Sequence, residues 1–274
     1  MKLVRMMLPV DHRGTTEACK DAAFGLARRF GMQVQVLHPC PAPWQRLPYS
    51  TELSPFYSDD LIALAREQAT REQDDARAWF LLASQGQGGV KAEFACVEGF
   101  VLQVVATRAR PADFSVVPSI GAKEDGFWDA VREGALIQSG RPALVVPDRT
   151  AEIGDSVVLA WKDSVEAVKA LAAAEPFLDR AKRVVLVAVK ENDVEDPSLA
   201  AMANYLTLGG LKIEMKALPA CDDIGESLLL EAASHDRPLL VMGAYGHWRW
   251  REWAFGGVTE HVLRNTTVPV LMAH

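Results

Sequence analysis

The chain has 274 residues, enough for one large domain or two small ones, each with a core of its own. Hydrophobic residues make up 49% and charged residues 24%, a balance that excludes wholesale disorder. The net charge of −7 argues against a nucleic-acid binder working through a broad basic face. No apolar run approaches the ~20 residues that cross a bilayer, so neither nucleic acid nor membrane is an expected partner. The N-terminal MKLVRMMLPVDHRG has too short an apolar part for a secretory signal and reads as a first strand. Cys19, Cys40, Cys96 and Cys221 are scattered and form no CxxC pair. Reduced thiols in a cytoplasmic protein are the simplest reading.

Strand and helix signals alternate along the chain. Leu3 to Val10 is an apolar run that predicts a strand. Thr15 or Thr16 caps a helix running to about Phe30, with Cys19, Ala23, Leu26, Ala27 and Phe30 as its buried stripe and Gly31 as its stop. Gln33 to His38 is a second strand. Pro39 to Pro55 carries five prolines, which exclude helix interior and central strand. It predicts a long loop, a lid or contact arm, within an insertion over 39–58. A charged helix follows from about Asp59 to Ser84, then a strand at Val90 to Cys96 and a helix at Phe100 to Arg108. Phe114 to Val117 is a fourth strand. Trp128 to Gln138 is a helix with Trp128, Val131 and Ala135 on one side, and Ala143 to Val146 is a fifth strand.

The pattern then starts again. Residues 147–152 read as a polar linker. Ser156 to Ala160 is a strand, and Val165 to Leu178 a helix with Val168, Leu171 and Ala172 inward. Arg183 to Val189, Pro197 to Leu208, Ile213 to Leu218 and Gly225 to Ser234 continue as strand, helix, strand, helix. Leu239 to Met242 is a strand, about Phe255 to Asn265 a helix, and Val268 to Met272 the last strand. Phe114-Ser115-Val116-Val117 answers Leu239-Leu240-Val241-Met242, and Gly140 to Val145 answers Thr267 to Met272. The chain is therefore an internal repeat, with expected domains at 1–149 and 150–274. Each half is an expected α/β open parallel sheet of five strands with helices on both faces.

The stretch after the ninth strand is the most informative. Gly243 and Gly246 stand three apart, and Gly256-Gly257 closes the loop where a helix begins. Glycines after a strand let a ligand approach the backbone, and a helix N-terminus offers free N–H groups to an anion. A phosphate site and plain turn glycines are both open on spacing alone. A P-loop is excluded because no Lys-Ser/Thr follows, and the spacing is not GxGxxG.

Gly243, Gly246 and Gly256, followed by Val268-Pro269-Val270-Leu271, resemble the C-terminal signature of the universal stress protein family, G-x2-G-x9-G-[S/T] with a V-P-V-L strand. Gly257 departs from it, standing where nucleotide-binding members carry Ser or Thr. The resemblance covers both halves and implies a tandem universal stress protein. It implies doubly wound, Rossmann-like sheets of order 3-2-1-4-5, akin to the adenine nucleotide alpha hydrolase fold. It also implies a pseudo-two-fold relation between halves, and frequently a homodimer.

The same resemblance implies a nucleotide site at the carboxyl ends of strands one and four, where strand order reverses. Asp11 sits where the family's nucleoside-contacting Asp belongs. In the first half Pro118 replaces the first loop glycine, Gly121 falls in the register of Gly246, and Trp128-Asp129-Ala130 replaces Gly-Gly. Pro118 neither donates an N–H nor takes positive φ, so this phosphate loop is broken. In the second half Lys162 aligns with the Asp, unless the register slips by one and Asp163 serves. A Lys there pairs with a phosphate or stands solvated. Gly257 lacks a hydroxyl. One lost hydrogen bond to a charged group is about 1.5–3 kcal/mol, roughly 10-fold to over 100-fold in affinity. The candidate nucleotide-binding residues are thus Gly243, Gly246, Gly256, Gly257, Lys162, Asp163 and Asp11.

Trp248, Arg249, Trp250, Arg251 and Trp253 form an aromatic-basic insert that either touches phosphates and bases or contacts the other half or a second chain. Catalysis has little support. His12, His38, His235, His247, His261 and His274 form no HExxH, no GxSxG elbow is present, and Asp222-Asp223 and Asp59-Asp60 read as turn and cap residues. Any Mg²⁺ would come with ATP. The reading is a cytoplasmic stress-response protein that binds ATP or a related nucleotide in its second half. The alternatives are an interaction or scaffold module with an unknown protein partner, and a weak ATP hydrolase or self-phosphorylating protein.

Overall fold

A computed structural model describes residues 3–42, 59–149, 153–190, 196–244 and 257–274. The Pro-rich stretch beyond Ala42, the linker beyond Arg149, the Trp/Arg insert, His247, Gly246 and Gly256 lie outside the described residues.

Among the described residues, ten strands and eight α-helices follow one another in near-strict alternation. In the first half they are β1 (Arg5–Pro9), α1 (Glu17–Phe30), β2 (Gln33–Cys40), α2 (Asp59–Ser84), β3 (Ala92–Glu98), α3 (Val101–Ala109), β4 (Phe114–Pro118), α4 (Gly126–Glu133) and β5 (Ala143–Val146). A π-helical turn, Gly134–Gln138, extends α4. The second half runs β6 (Ser156–Ala160), α5 (Val165–Leu178), β7 (Arg183–Val189), α6 (Pro197–Leu208), β8 (Ile213–Leu218), α7 (Ile224–Ala233), β9 (Pro238–Gly243), α8 (Gly257–Asn265) and β10 (Val270–Ala273).

The strands form one sheet of order β3-β2-β1-β4-β5-β10-β9-β6-β7-β8. Each half has the expected 3-2-1-4-5 order, and the two halves share a single ten-stranded sheet. The seam is the antiparallel pair β5/β10, with Leu144 opposite Leu271; the other strand pairings are parallel. An antiparallel seam turns one half over against the other, so their carboxyl strand ends face opposite edges of the sheet. The buried strand residues are almost all apolar, as a sheet covered on both faces requires. One face packs α1, α2, α5 and α6; the other packs α3, α4, α7 and α8. Both cores run across the seam. Phe30 and Phe177 stack edge-on at 5.1 Å, and the Arg29 guanidinium donates to the carbonyls of Ile153 and Gly154.

Two local expectations are corrected. β2 runs through Pro39 to Cys40 rather than stopping at His38, although β2 is an interior strand. The Leu37 carbonyl accepts from Val10 N, so Pro39, two residues on, aims its nitrogen past the end of the β1 ladder. Its missing N–H therefore leaves no gap in the pairing. Helix α5 turns Ala167, Ala170, Ala174 and Phe177 inward, whereas Val168 is 51% exposed and Ala172 is exposed. The reason is the closeness of β9: a Cβ at Gly243 would stand 2.7 Å from Ala167 N and 2.8 Å from the Glu166 carbonyl carbon. Only a small-residue face lets the helix come so near.

Candidate functional site

In an open α/β sheet, ligands bind at the carboxyl ends of strands where the order reverses. Here those crevices are β1/β4 and β6/β9. Matching hydrogen bonds establish the equivalence of the two. Val10 N donates to Leu37 O, and Trp161 N donates to Val187 O, so Lys162, and not Asp163, is the counterpart of Asp11. Ser119 N donates to Val146 O, and Ala244 N donates to Ala273 O, so Gly243 is the counterpart of Pro118.

The first crevice is filled by the protein itself. Trp128, fully buried, lies at the start of α4, and its indole Nε1 donates to Asp11 Oδ2 at 3.3 Å. The Lys123 ammonium stands 3.5 Å from the same oxygen and 5.7 Å from the Trp128 ring centre. Asp11 Oδ1 accepts from Arg13 N, which fixes the tight turn Asp11–Gly14. A Cβ at Gly14 would run into the Trp79 indole of α2, so glycine is required for that close approach. The loop after β4 is closed as well. Arg132 is buried, and its Nη1 takes the carbonyls of Pro118, Ser119 and Lys123 at 2.9–3.3 Å while Nη2 pairs with Asp129. The guanidinium is thus engaged by the loop carbonyls and the Asp129 carboxylate rather than offered to a phosphate.

The second crevice is built differently. Lys162 and Asp163 are exposed at the end of β6. Ser164 caps α5 through Ala167 N, which holds the α5 N-terminus against Gly243. Trp161 turns away, its Nε1 donating to Ser198 Oγ at 2.8 Å. Gly257 opens α8 with no described atom within 4 Å of a Cβ placed there. The structure thus brings Gly243, Lys162 and Asp163 to one crevice, places Gly257 at the N-terminus of the helix that follows β9, and puts Asp11 in the other crevice.

The Universal stress protein family profile matches residues 220–274, the segment that holds this glycine loop, α8 and β10. Universal stress protein Slr1230 of Synechocystis sp. is 30% identical over 150 residues, 53% of this chain and 51% of that protein. The chain is thus similar to universal stress proteins, and its residues 220–274 match that family. It spans about half the length of that relative. A universal stress protein structure from Archaeoglobus fulgidus shares the fold over 98% of this chain and 97% of its own, with a TM-score of 0.74 and 18% identity. One from Pseudomonas aeruginosa UCBPP-PA14, assigned to the same family, covers 99% and 93% with a TM-score of 0.56 and 14% identity.

Sequence reasoning missed two things. Trp128 was legible as a replacement for Gly-Gly, but its bond to Asp11 and the capture of the loop by Arg132 are tertiary facts. The other is a cluster on the first half. His38, Cys40 and Cys96 bring one ring nitrogen and two sulfurs within 4.8 Å of one another. The usable signal was His38-x-Cys40, two positions on one face of a strand.

Proposed function

We propose that the chain is a stress-response protein of two family units, 1–149 and 150–274, of which the second holds ATP or a related nucleotide. The observation that carries this is the contrast between equivalent crevices. Trp128 and Arg132 occupy the first, while the second offers Lys162, the α8 N-terminus and a glycine-lined strand end. The loop over Gly243, Gly246, Gly256 and Gly257 would cradle phosphates with backbone N–H groups, helped by the positive end of α8. Lys162 would neutralise phosphate charge. Asp163 would stand at the nucleoside end, and Mg²⁺ would arrive with the nucleotide. Asp11, held by Trp128 and Lys123, serves the closed first crevice.

Gly257→Asp tests this cleanly. The side chain meets open space among the described residues, and an acid in the first turn of α8 suits the helix dipole, so the fold should stand. The same carboxylate opposes a phosphate. Mg-ATP at about 100 times its dissociation constant should stabilise the wild type by ~2.7 kcal/mol, a rise of roughly 5–10 °C in melting temperature. Gly257→Asp should lose that rise. Equal rises in both proteins, or none in the wild type at millimolar nucleotide, would reject the reading.

A further inference from the structure

β2 and β3 are parallel neighbours with His38 opposite Cys96 and Cys40 opposite Glu98. Side chains two apart on a strand share a face, so His38, Cys40 and Cys96 all project on one side of the sheet. His38 is 2% exposed and Cys40 7%, while Cys96 is half-buried. The His38 ring is oriented by its Nδ1, 3.1 Å from the carbonyl of Val10. A carbonyl only accepts, so Nδ1 carries the proton and Nε2 presents a lone pair. That Nε2 is buried and has no hydrogen-bond partner among the described residues. A buried acceptor left unsatisfied costs about 1–3 kcal/mol, so a group that takes the lone pair has a clear role.

The repeat shows that the fold does not need these side chains. Leu37 and Val187 are equivalent through their bonds to Val10 N and Trp161 N. The counterparts of His38, Cys40 and Cys96 are therefore Ala188, Lys190 and, opposite Ala188 on β8, Ala217. Where the second half packs two alanines and a lysine, the first half has an imidazole and two thiols.

We propose that His38 Nε2 and the thiolates of Cys40 and Cys96 bind one Zn²⁺, with the fourth position open. Imidazole and thiolate are the ligands zinc prefers, and three protein ligands with one open position is a known zinc arrangement. Bonds of about 2.0–2.3 Å place tetrahedral ligand atoms roughly 3.3–3.8 Å apart, within the 4.8 Å that spans a His38 ring nitrogen and the two sulfurs. The Nδ1–H bond to Val10 is the outer support that metal-bound histidines characteristically make. Half-buried Cys96 leaves a way in. Thiolate is the form that binds zinc, so the metal would displace the protons of both thiols as it binds. Val10 immediately precedes Asp11, so the ion would also stiffen the turn that Trp128 and Lys123 hold. The inference does not depend on nucleotide binding.

The test is Zn²⁺ uptake by the full chain, reduced and stripped of metal, followed by competition with a chromophoric chelator. Co²⁺ in place of Zn²⁺ gives a thiolate-to-metal absorption. The wild type should take one Zn²⁺ per chain and show that absorption. Cys96→Ser, at a half-buried position where the fold tolerates the change, should weaken binding by more than the roughly 10–100-fold typical of an outer-support substitution. Cys40→Ser and His38→Gln should weaken it likewise, with circular dichroism confirming the fold. Cys221→Ser should bind as the wild type does. No uptake by the wild type, equal uptake by Cys96→Ser, loss in Cys221→Ser, or a Cys40–Cys96 disulfide with no uptake after reduction would each overturn the proposal.

Discussion

Single residues decide how the two crevices differ. Gly243 is needed because α5 lies against it, and the obstacle to any side chain is backbone, Ala167 N and the Glu166 carbonyl carbon. Gly243→Ala should therefore destabilise the protein by about 1–3 kcal/mol, read as a lower urea midpoint with unchanged slope; an unchanged midpoint would refute the close packing. Trp128 should be costlier to truncate, about 3–5 kcal/mol for Trp128→Ala, as for any large buried aromatic. Thiol chemistry follows burial too. Burial pushes the Cys19 thiol up to about 12, against the hydrogen bonds of Thr16 and Thr15, so it stays protonated at pH 8. Cys221 is exposed. A thiolate-directed alkylating reagent at pH 8 should label Cys221 in the native protein and spare Cys19, with mass spectrometry of the peptides as the check. The glycine loop and Asp11 were legible because each stands at a fixed offset from a strand end. Arg132 was not, because nothing in its sequence neighbourhood says that three loop carbonyls turn towards it.

Elements carry the next level of the account. α5 shows why its buried face could not be read in advance. Val165, Val168, Leu171 and its alanines make it apolar nearly all round, so periodicity selects no face. The sheet selects one, and close approach at Gly243 favours the alanine side. β2 shows the converse. Proline normally ends a strand, yet Pro39 continues it where the β1 ladder has run out. That extra length brings Cys40 level with Glu98 and so creates the His38, Cys40, Cys96 cluster. Helix α7 is tied to β8 by Glu231, which accepts from Lys216 Nζ at 2.6 Å and faces His235. Burial works to raise the Glu231 carboxyl, but the Lys216 and His235 bonds hold it below its ordinary range. A carboxyl depressed on folding adds stability above its unfolded pKa and loses it as pH falls through the folded one. Glu231→Gln should therefore lower the melting temperature at neutral pH and converge on the wild type in acid. A constant difference across pH would contradict the assignment.

The whole molecule is a palindrome of strands with an antiparallel seam at its centre. The seam of β5 and β10 covers two edges that a separated half would expose, and an uncovered edge invites pairing with another chain. Residues 150–274 made alone should self-associate, visible as mass above the monomer in light scattering at micromolar concentration; a clean monomer would argue against the seam. The strand order within each half was legible from the alternation and the family signature together. The fusion into one sheet was not, since no residue in β5 or β10 distinguishes an edge strand from a seam. The overturned second half also sets the two crevices at opposite ends of the strands, so the filling of the first by Trp128 and Arg132 does not reach the second. Hydrogen–deuterium exchange of the full chain with and without saturating Mg-ATP tests that division most directly. Slower exchange confined to the peptides over 161–166 and 243–262, with none over 118–132, is the predicted result. Protection over 118–132, or none anywhere, would contradict it.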